Sequence, residues 1–292
     1  MRLIRMEIQI VRQRRLLWEL VKRDLRTRYI GSIMGLFWTI INPLIMLIIY
    51  IFVFSLIFQF GSESSQPASG AGPAVEVKRQ IHYFPTYLCC GLLPWNAMME
   101  SLLGATMIVA GSGGLIKRAV FPMAILPMQA IVTGFINLAI TMLLLGVFLL
   151  VIGQFPGWAF LMIIPLMLLQ FILIVGPCYF FATVNVFFRD IGPILTAVMT
   201  FLFWFTPIVY PAWLATDRFV WTKYLYLANP FSHLVALYRA FLYDRTPNTL
   251  DEFGISCPLA ASVVYLVCIG AVGYVIGKYV FTRSQPHFVD EV

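Results

Sequence analysis

The sequence predicts an all-α integral membrane protein. It has six transmembrane helices, an N-terminal amphipathic interface helix, and short re-entrant outer helices between spans five and six. Three observations carry that reading. The 292 residues are 61% hydrophobic and 11% charged, where a soluble domain carries about 25% charged residues. Apolar runs recur at or above the ~20 residues a helix needs to cross a bilayer. Fourteen of the twenty Lys and Arg fall in segments on one side of those runs, a topology signal that puts that side in the cytoplasm. A chain this apolar is not disordered, and five Cys in 292 residues are too few for a disulfide scaffold.

Residues 1–32 form the first element. Nine basic residues (Arg2, Arg5, Arg12, Arg14, Arg15, Lys22, Arg23, Arg26 and Arg28) stand against Glu7, Glu19 and Asp24. Apolar Met6, Ile10, Leu17, Leu20, Val21 and Leu25 recur at three- and four-residue steps. That pattern describes a basic amphipathic helix on an anionic inner surface. A nucleic-acid arm is disfavoured because an apolar span starts at once.

The transmembrane domain runs over 33–281, with spans at 33–60, 84–110, 128–153, 158–186, 194–213 and 258–281, and a cytoplasmic tail at 282–292. The first span exceeds a straight crossing, so it tilts or extends, with a bend at Pro43. Residues 61–80 are dominated by Gly, Ser, Ala and Pro without an aromatic residue, the composition of a flexible aqueous loop. Residues 111–127 read as a broken amphipathic connection carrying Lys117 and Arg118. Spans four and five meet at Phe187-Phe188-Arg189-Asp190. Both termini are cytoplasmic in this topology, and the outer segments hold Lys78, Arg79, Arg218, Lys223, Arg239 and Arg245.

The stretch 201–257 departs from a simple loop. Fourteen of the 43 residues from Phe201 to Tyr243 are aromatic, and Pro207, Pro211 and Pro230 interrupt apolar runs too short to span. Irregular backbone at membrane depth is tolerated where protein buries it or where it lines a cavity. A pair of short helices dipping into the outer leaflet over 214–245 fits that rule; a plain interfacial aromatic belt is the other reading.

Chemistry of the chain's own is not indicated. Gly111-Ser-Gly-Gly-Leu-Ile-Lys117 lacks the GKS or GKT ending of a phosphate loop and follows no strand. His82, His233 and His287 are far apart, and His233 reads as a packed residue. The cysteines lack CxxC spacing, so metal and redox roles are not expected. Glu100 is the clear ionisable residue inside a span. It lines a wet path, pairs with a neighbouring helix, or sits near an interface if the span bends at Pro94.

Four stretches in order give the chain a resemblance. They are Arg26-Thr-Arg-Tyr-Ile-Gly-Ser-Ile-Met-Gly-Leu-Phe-Trp38 with Pro43, and Gly91-Leu-Leu-Pro-Trp95 followed by Leu115-Ile-Lys-Arg118, Phe121-Pro122 and Leu126-Pro127. Next come Phe188-Arg189-Asp190-Ile191, then Thr206-Pro-Ile-Val-Tyr-Pro211 with Asn229-Pro230 and Tyr238-Arg239. Together they resemble the membrane subunit of ABC-2 exporters, in the branch that exports polysaccharide, O-antigen or teichoic acid.

The resemblance implies a homodimer with two copies of a separate ABC ATPase, which binds ATP and Mg, in a bacterial inner (cytoplasmic) membrane. It implies export of a lipid-linked glycan, O-antigen-like, capsule or teichoic acid, with no enzyme activity in this chain. An ABC-2 exporter of a small lipid, drug or haem-like molecule is the alternative. On this reading Lys117, Arg118, Arg189 and Asp190 couple to the ATPase. Arg26 and Arg28 attract an anionic lipid head group or simply anchor the inner face. Trp204, Tyr210, Trp213, Trp221, Tyr224 and Glu100 belong to the translocation path, where aromatic faces stack on sugar rings.

Overall fold

The structure, a computed structural model, describes residues 5–27, 37–53, 84–114, 122–244, 249–250 and 257–291. The expected loop 61–80, residues 115–121 of the connection with Lys117 and Arg118, and Arg28 lie outside the described residues.

Helices dominate, as the apolar periodicity requires. The chain runs α1 (Arg5–Arg12), α2 (Arg14–Thr27), α3 (Trp38–Ile51), α4 (Phe84–Gly111), α5 (Ile125–Val151), α6 (Ile163–Phe187) and α7 (Ile191–Phe205). Then come the short α8 (Trp213–Thr216), α9 (Trp221–Ala228) and α10 (Pro230–Arg239), a π turn at Ala240–Asp244, α11 (Leu259–Ser284) and α12 (Phe288–Glu291). A two-residue antiparallel pair, Thr249–Leu250 with Cys257–Pro258, precedes α11.

Among the described residues four helices are long and apolar enough to cross a membrane: Phe84–Gly111, Ile125–Val151, Gly157–Phe187 and Leu259–Glu291. The described part of the expected first span is α3, which stays helical through position 43. The fifth apolar run is helical over 15 residues, Ile191–Phe205, a length of ~22 Å. The span expected over 194–213 therefore stops short of its sequence-based end. Thr206 precedes Pro207 and is pushed into extended backbone (φ −91°, ψ 133°), because a proline ring disfavours α geometry in the residue before it.

Polar side chains inside these helices return their hydrogen bonds to the backbone one turn earlier. Ser101 donates to the Ala97 carbonyl at 2.8 Å, Thr106 to Leu102 at 2.7 Å and Thr183 to Tyr179 at 2.8 Å. The turn after α5 is closed by Gly153 in left-handed backbone (φ 72°). There Gln154 N donates to the Leu149 carbonyl (2.8 Å) and Gly153 N to Leu150 (3.2 Å), the paired bonds of a Schellman cap.

Packing centres on α4, α5, α6 and α11, with α6 and α11 the most extensive pair. Small residues let helices approach closely in lipid, where van der Waals contact replaces the hydrophobic effect. Gly176 of α6 meets the Gly273 backbone of α11, and Gly277 meets the Gly176 carbonyl. Gly134 of α5 likewise admits Ser101 of α4. By contrast α7 buries only the stripe Gly192, Leu195 and Met199, leaving Ile194, Val198, Phe201 and Trp204 exposed.

Candidate functional site

At the Phe84 end of the bundle, the chain from Trp204 to Asp244 builds a platform from short helices. Asn229 starts α10 from extended backbone (φ −86°, ψ 111°): its side-chain oxygen accepts from Phe231 N at 3.0 Å, with Pro230 next. Asn at the cap and Pro at the first helical position are favoured for these orphan backbone groups. The same Asn229 donates through Nδ2 to Thr206 Oγ1 at 2.9 Å, tying α10 to the end of α7.

Arg239, the last residue of α10, is fully buried. Its Nη1 donates to the Pro207 carbonyl (2.7 Å), Nη2 to Ile208 (2.6 Å) and Nε to Tyr87 (3.3 Å). The guanidinium also lies 3.5 Å from the centre of the Tyr87 ring, a cation–π stack suited to its flat face. One side chain thus fixes the irregular strand after α7 against the start of α4. Gly91 leaves the room, since a Cβ there would lie 3.2 Å from Arg239 Nη2. The sequence reading counted Arg239 among outer loop charges; the fold makes it an internal tie. The available signal was a lone Arg inside the apolar run Phe231–Tyr243.

Further ties spread from α10. Tyr238 donates to Gln170 Oε1 (3.0 Å), and Gln170 Nε2 donates to the Pro94 carbonyl (3.0 Å), linking α10, α6 and α4. His233 Nε2 lies 2.9 Å from the Leu227 carbonyl and Nδ1 2.9 Å from Ser262 Oγ. A carbonyl only accepts, so Nε2 carries the proton and Nδ1 receives the serine hydroxyl. His233 is thus the packed residue expected of it. From α11, Tyr265 donates to the Ala228 carbonyl at 2.6 Å.

The aromatic residues expected on a path are distributed unevenly over this platform. Trp204, Trp221 and Tyr224 are exposed, with Trp221 and Tyr224 one turn apart on α9. Tyr210 is half-buried, its hydroxyl donating to the Trp204 carbonyl at 2.8 Å and lying 3.4 Å from the Tyr226 hydroxyl. Trp213 is half-buried at the start of α8. Glu100 stands apart from them within α4, half-buried, and accepts from Asn137 Nδ2 of α5 at 2.7 Å. Of the alternatives left open for it, the structure displays the pairing with a neighbouring helix.

The Phe187 end of the bundle carries the other expected residues. Arg189 and Asp190 are exposed in the turn from α6 to α7, and Asp190 makes no side-chain cap bond although it precedes the helix. Arg26 is exposed in the last turn of α2. Sequence reasoning missed the docking of α1 here. Tyr274 donates to Glu7 Oε1 at 2.6 Å, and Lys278 forms an ion pair with the same oxygen. Partial burial pushes the Glu7 carboxyl up, but the Lys278 and Tyr274 hydrogen bonds, a backbone hydrogen bond and the Lys278 charge together hold Glu7 below its ordinary value.

A folded-state pKa below the unfolded one gives stability that is present above the ordinary carboxylate range and lost as pH falls through the depressed value. E7Q is therefore expected to lower Tm most at neutral pH. The gap to the wild type closes as acid neutralises Glu7. A gap that stays constant with pH contradicts the ion pair.

The ABC-2 type transporter family model matches residues 15–243, from α2 to the end of this platform. The chain belongs to that family. Among similar proteins, the O-antigen export system permease RfbA of Myxococcus xanthus is 29% identical over 266 residues, covering 90% of this chain and 93% of that protein. An RfbA permease of Klebsiella pneumoniae is 26% identical over 276 residues, covering 94% of each. The ABC-2 match therefore includes both the Arg189-Asp190 turn and the Arg239 tie.

Proposed function

We propose that this ABC-2 chain is the membrane-spanning subunit of an ATP-driven exporter that moves a lipid-linked, O-antigen-like polysaccharide out of the cytoplasm. The observation that carries the reading is the near full-length similarity to two O-antigen export permeases. It is supported by a rigid platform bearing exposed Trp204, Trp221 and Tyr224.

In this arrangement α3, α4, α5, α6, α7 and α11 are the six spans. The Phe84 end faces outward, with α8 to α10 dipping into the outer leaflet, and the Phe187 end faces the cytoplasm. Two copies meet along the exposed face of α7, and the path lies at their seam. Two ATPase subunits bind ATP and Mg and meet α1–α2, the 111–127 connection with Lys117 and Arg118, and the Arg189-Asp190 turn. ATP-driven closure moves these connections as levers. Arg26 and Arg28 draw the anionic lipid head towards the inner end of the seam. The sugar chain then passes over the aromatic rings, whose faces stack on the apolar faces of sugars.

Replacing Trp204, Trp221 and Tyr224 together with Ala tests the track. At about 0.5–1.5 kcal/mol for each lost aromatic contact, surface glycan is expected to fall about tenfold or more. Binding of the ATPase should be unchanged, because these side chains lie at the Phe84 end, away from the ATPase-facing connections. Full export by the triple variant contradicts the aromatic track.

A further inference from the structure

A second buried cluster lies at the Phe187 end and takes no part in the path. Tyr179 of α6 packs edge-on against Phe281 of α11, with ring centres 5.1 Å apart at 81°. Phe281 packs in the same manner on Phe288 (5.4 Å, 76°), and Phe288 lies 6.2 Å from Phe187. Tyr179, Phe281 and Phe288 are fully buried. Phe288 reaches the cluster because the chain stays helical beyond α11 through the tighter turn Gln285–His287, with Pro286 near its start, so that Phe288 follows Phe281 by about two helical turns on the same face. The flanking Val289, Asp290 and Glu291 stay exposed. This helical extension thus contributes one buried ring to the cluster.

The cluster touches the ends of both connections assigned above to the ATPase. Tyr179 donates its hydroxyl to the Ala124 carbonyl at 2.7 Å. Ala124 is the cap position of α5, at the end of the 111–127 connection, and no side chain caps that helix. At the other side, Phe187 is the last residue of α6, next to Phe188, Arg189 and Asp190. Close-packed rings have low compressibility and pass a displacement on rather than absorb it. The backbone contact of Gly176 with Gly273 and Gly277 already makes α6 and α11 one body.

We propose that Tyr179, Phe281 and Phe288 form a transmission joint, in which the helical 285–291 extension of α11 braces the two ATPase-facing connections so that they move α5, α6 and α11 together. The proposal rests on the exporter reading for what pushes on the joint. Tyr179 and Phe288 are positioning residues, acting through the connections and not on the glycan.

The test uses Y179F, which keeps the ring and removes only the hydroxyl bond, and F288A with F288L as its conservative partner. In the reconstituted complex with its ATPase, Y179F is expected to assemble and hydrolyse ATP normally. Its glycan moved per ATP should fall about fivefold, the factor for one hydrogen bond. F288A should fall further and F288L should recover most of the loss. A wild-type ratio of transport to hydrolysis in assembled Y179F and F288A overturns the joint.

A second arm needs no ATPase. Spin labels at Met123 and Asp190 of the isolated chain should give one narrow distance in the wild type and a broadened distribution in Y179F. An unchanged distribution overturns the joint. Failure of the wild-type chain to bind an ATPase would overturn the exporter reading alone.

Discussion

Replacing Gly277 with Val is expected to separate α6 from α11 and to lower Tm by about 10 °C, following overpacking costs at or above ~3 kcal/mol. The reason is that nothing at this crossing can give way. A Cβ on Gly277 would fall on the Gly176 carbonyl, and one on Gly176 would fall on the Gly273 backbone. At Gly270, one helical stretch earlier, a Cβ would sit 2.8 Å from the Ile172 carbonyl oxygen. These obstacles are backbone atoms, so relief requires moving a whole helix. Because this is the most extensive helix pair, its separation also loosens α4 and α10 packed against α6. Gly114→Ala is the control, since a Cβ there meets nothing within 4 Å. Thermal unfolding of the detergent-purified chain reads both variants. Wild-type Tm in G277V would refute the backbone-to-backbone crossing.

Removing the Arg239 guanidinium is expected to be of similar size. R239M leaves the carbonyls of Tyr87, Pro207 and Ile208 without their donor. Each orphaned buried acceptor costs about 1–3 kcal/mol, so the total reaches several kcal/mol. The consequence differs from that of G277V, because the loss falls on the platform. Pro207 and Ile208 follow the end of α7, where no helix supplies donors to their carbonyls. Without Arg239 the irregular Thr206–Pro211 segment detaches from α4, and the ring of Tyr210, which is bonded to the Trp204 carbonyl, goes with it. Export should be lost, and quenching of tryptophan fluorescence should rise. R239K should lie between the two, because an ammonium can serve a carbonyl but not lie flat over Tyr87. Wild-type Tm and export in R239M would remove the tie from this account.

The long helices were legible because each is a run of apolar residues whose length alone defines it. The break after Phe205 was also written in the sequence, in Pro207 and Pro211, but an apolar run through Phe203-Trp204-Phe205 to Trp213 masked it. What could not be read was pairing. Glu7 meets Lys278 across 271 positions and Glu100 meets Asn137 across 37, and no local pattern marks either partner. Arg239 was misjudged for the same reason, since a cation between apolar residues looks alike in a loop and in a core until its acceptors are known. The aromatic surplus was visible as composition. Which rings face outward is decided by tertiary contacts: Tyr210 is held by Trp204 and Tyr226, while Trp221 and Tyr224 are not covered. The exposed Arg189-Asp190 turn was legible because a charged pair between two apolar runs has nowhere to be buried.

The central claim is that this chain forms the glycan path and a separate ATPase drives it. The direct measurement reconstitutes the chain with its ATPase in vesicles and follows a lipid-linked O-polysaccharide from one face to the other. The account predicts movement that requires both proteins and hydrolysable ATP. Glycan transport by the chain alone under an ion gradient, or ATP-driven movement of small lipids with none of the glycan, would contradict it.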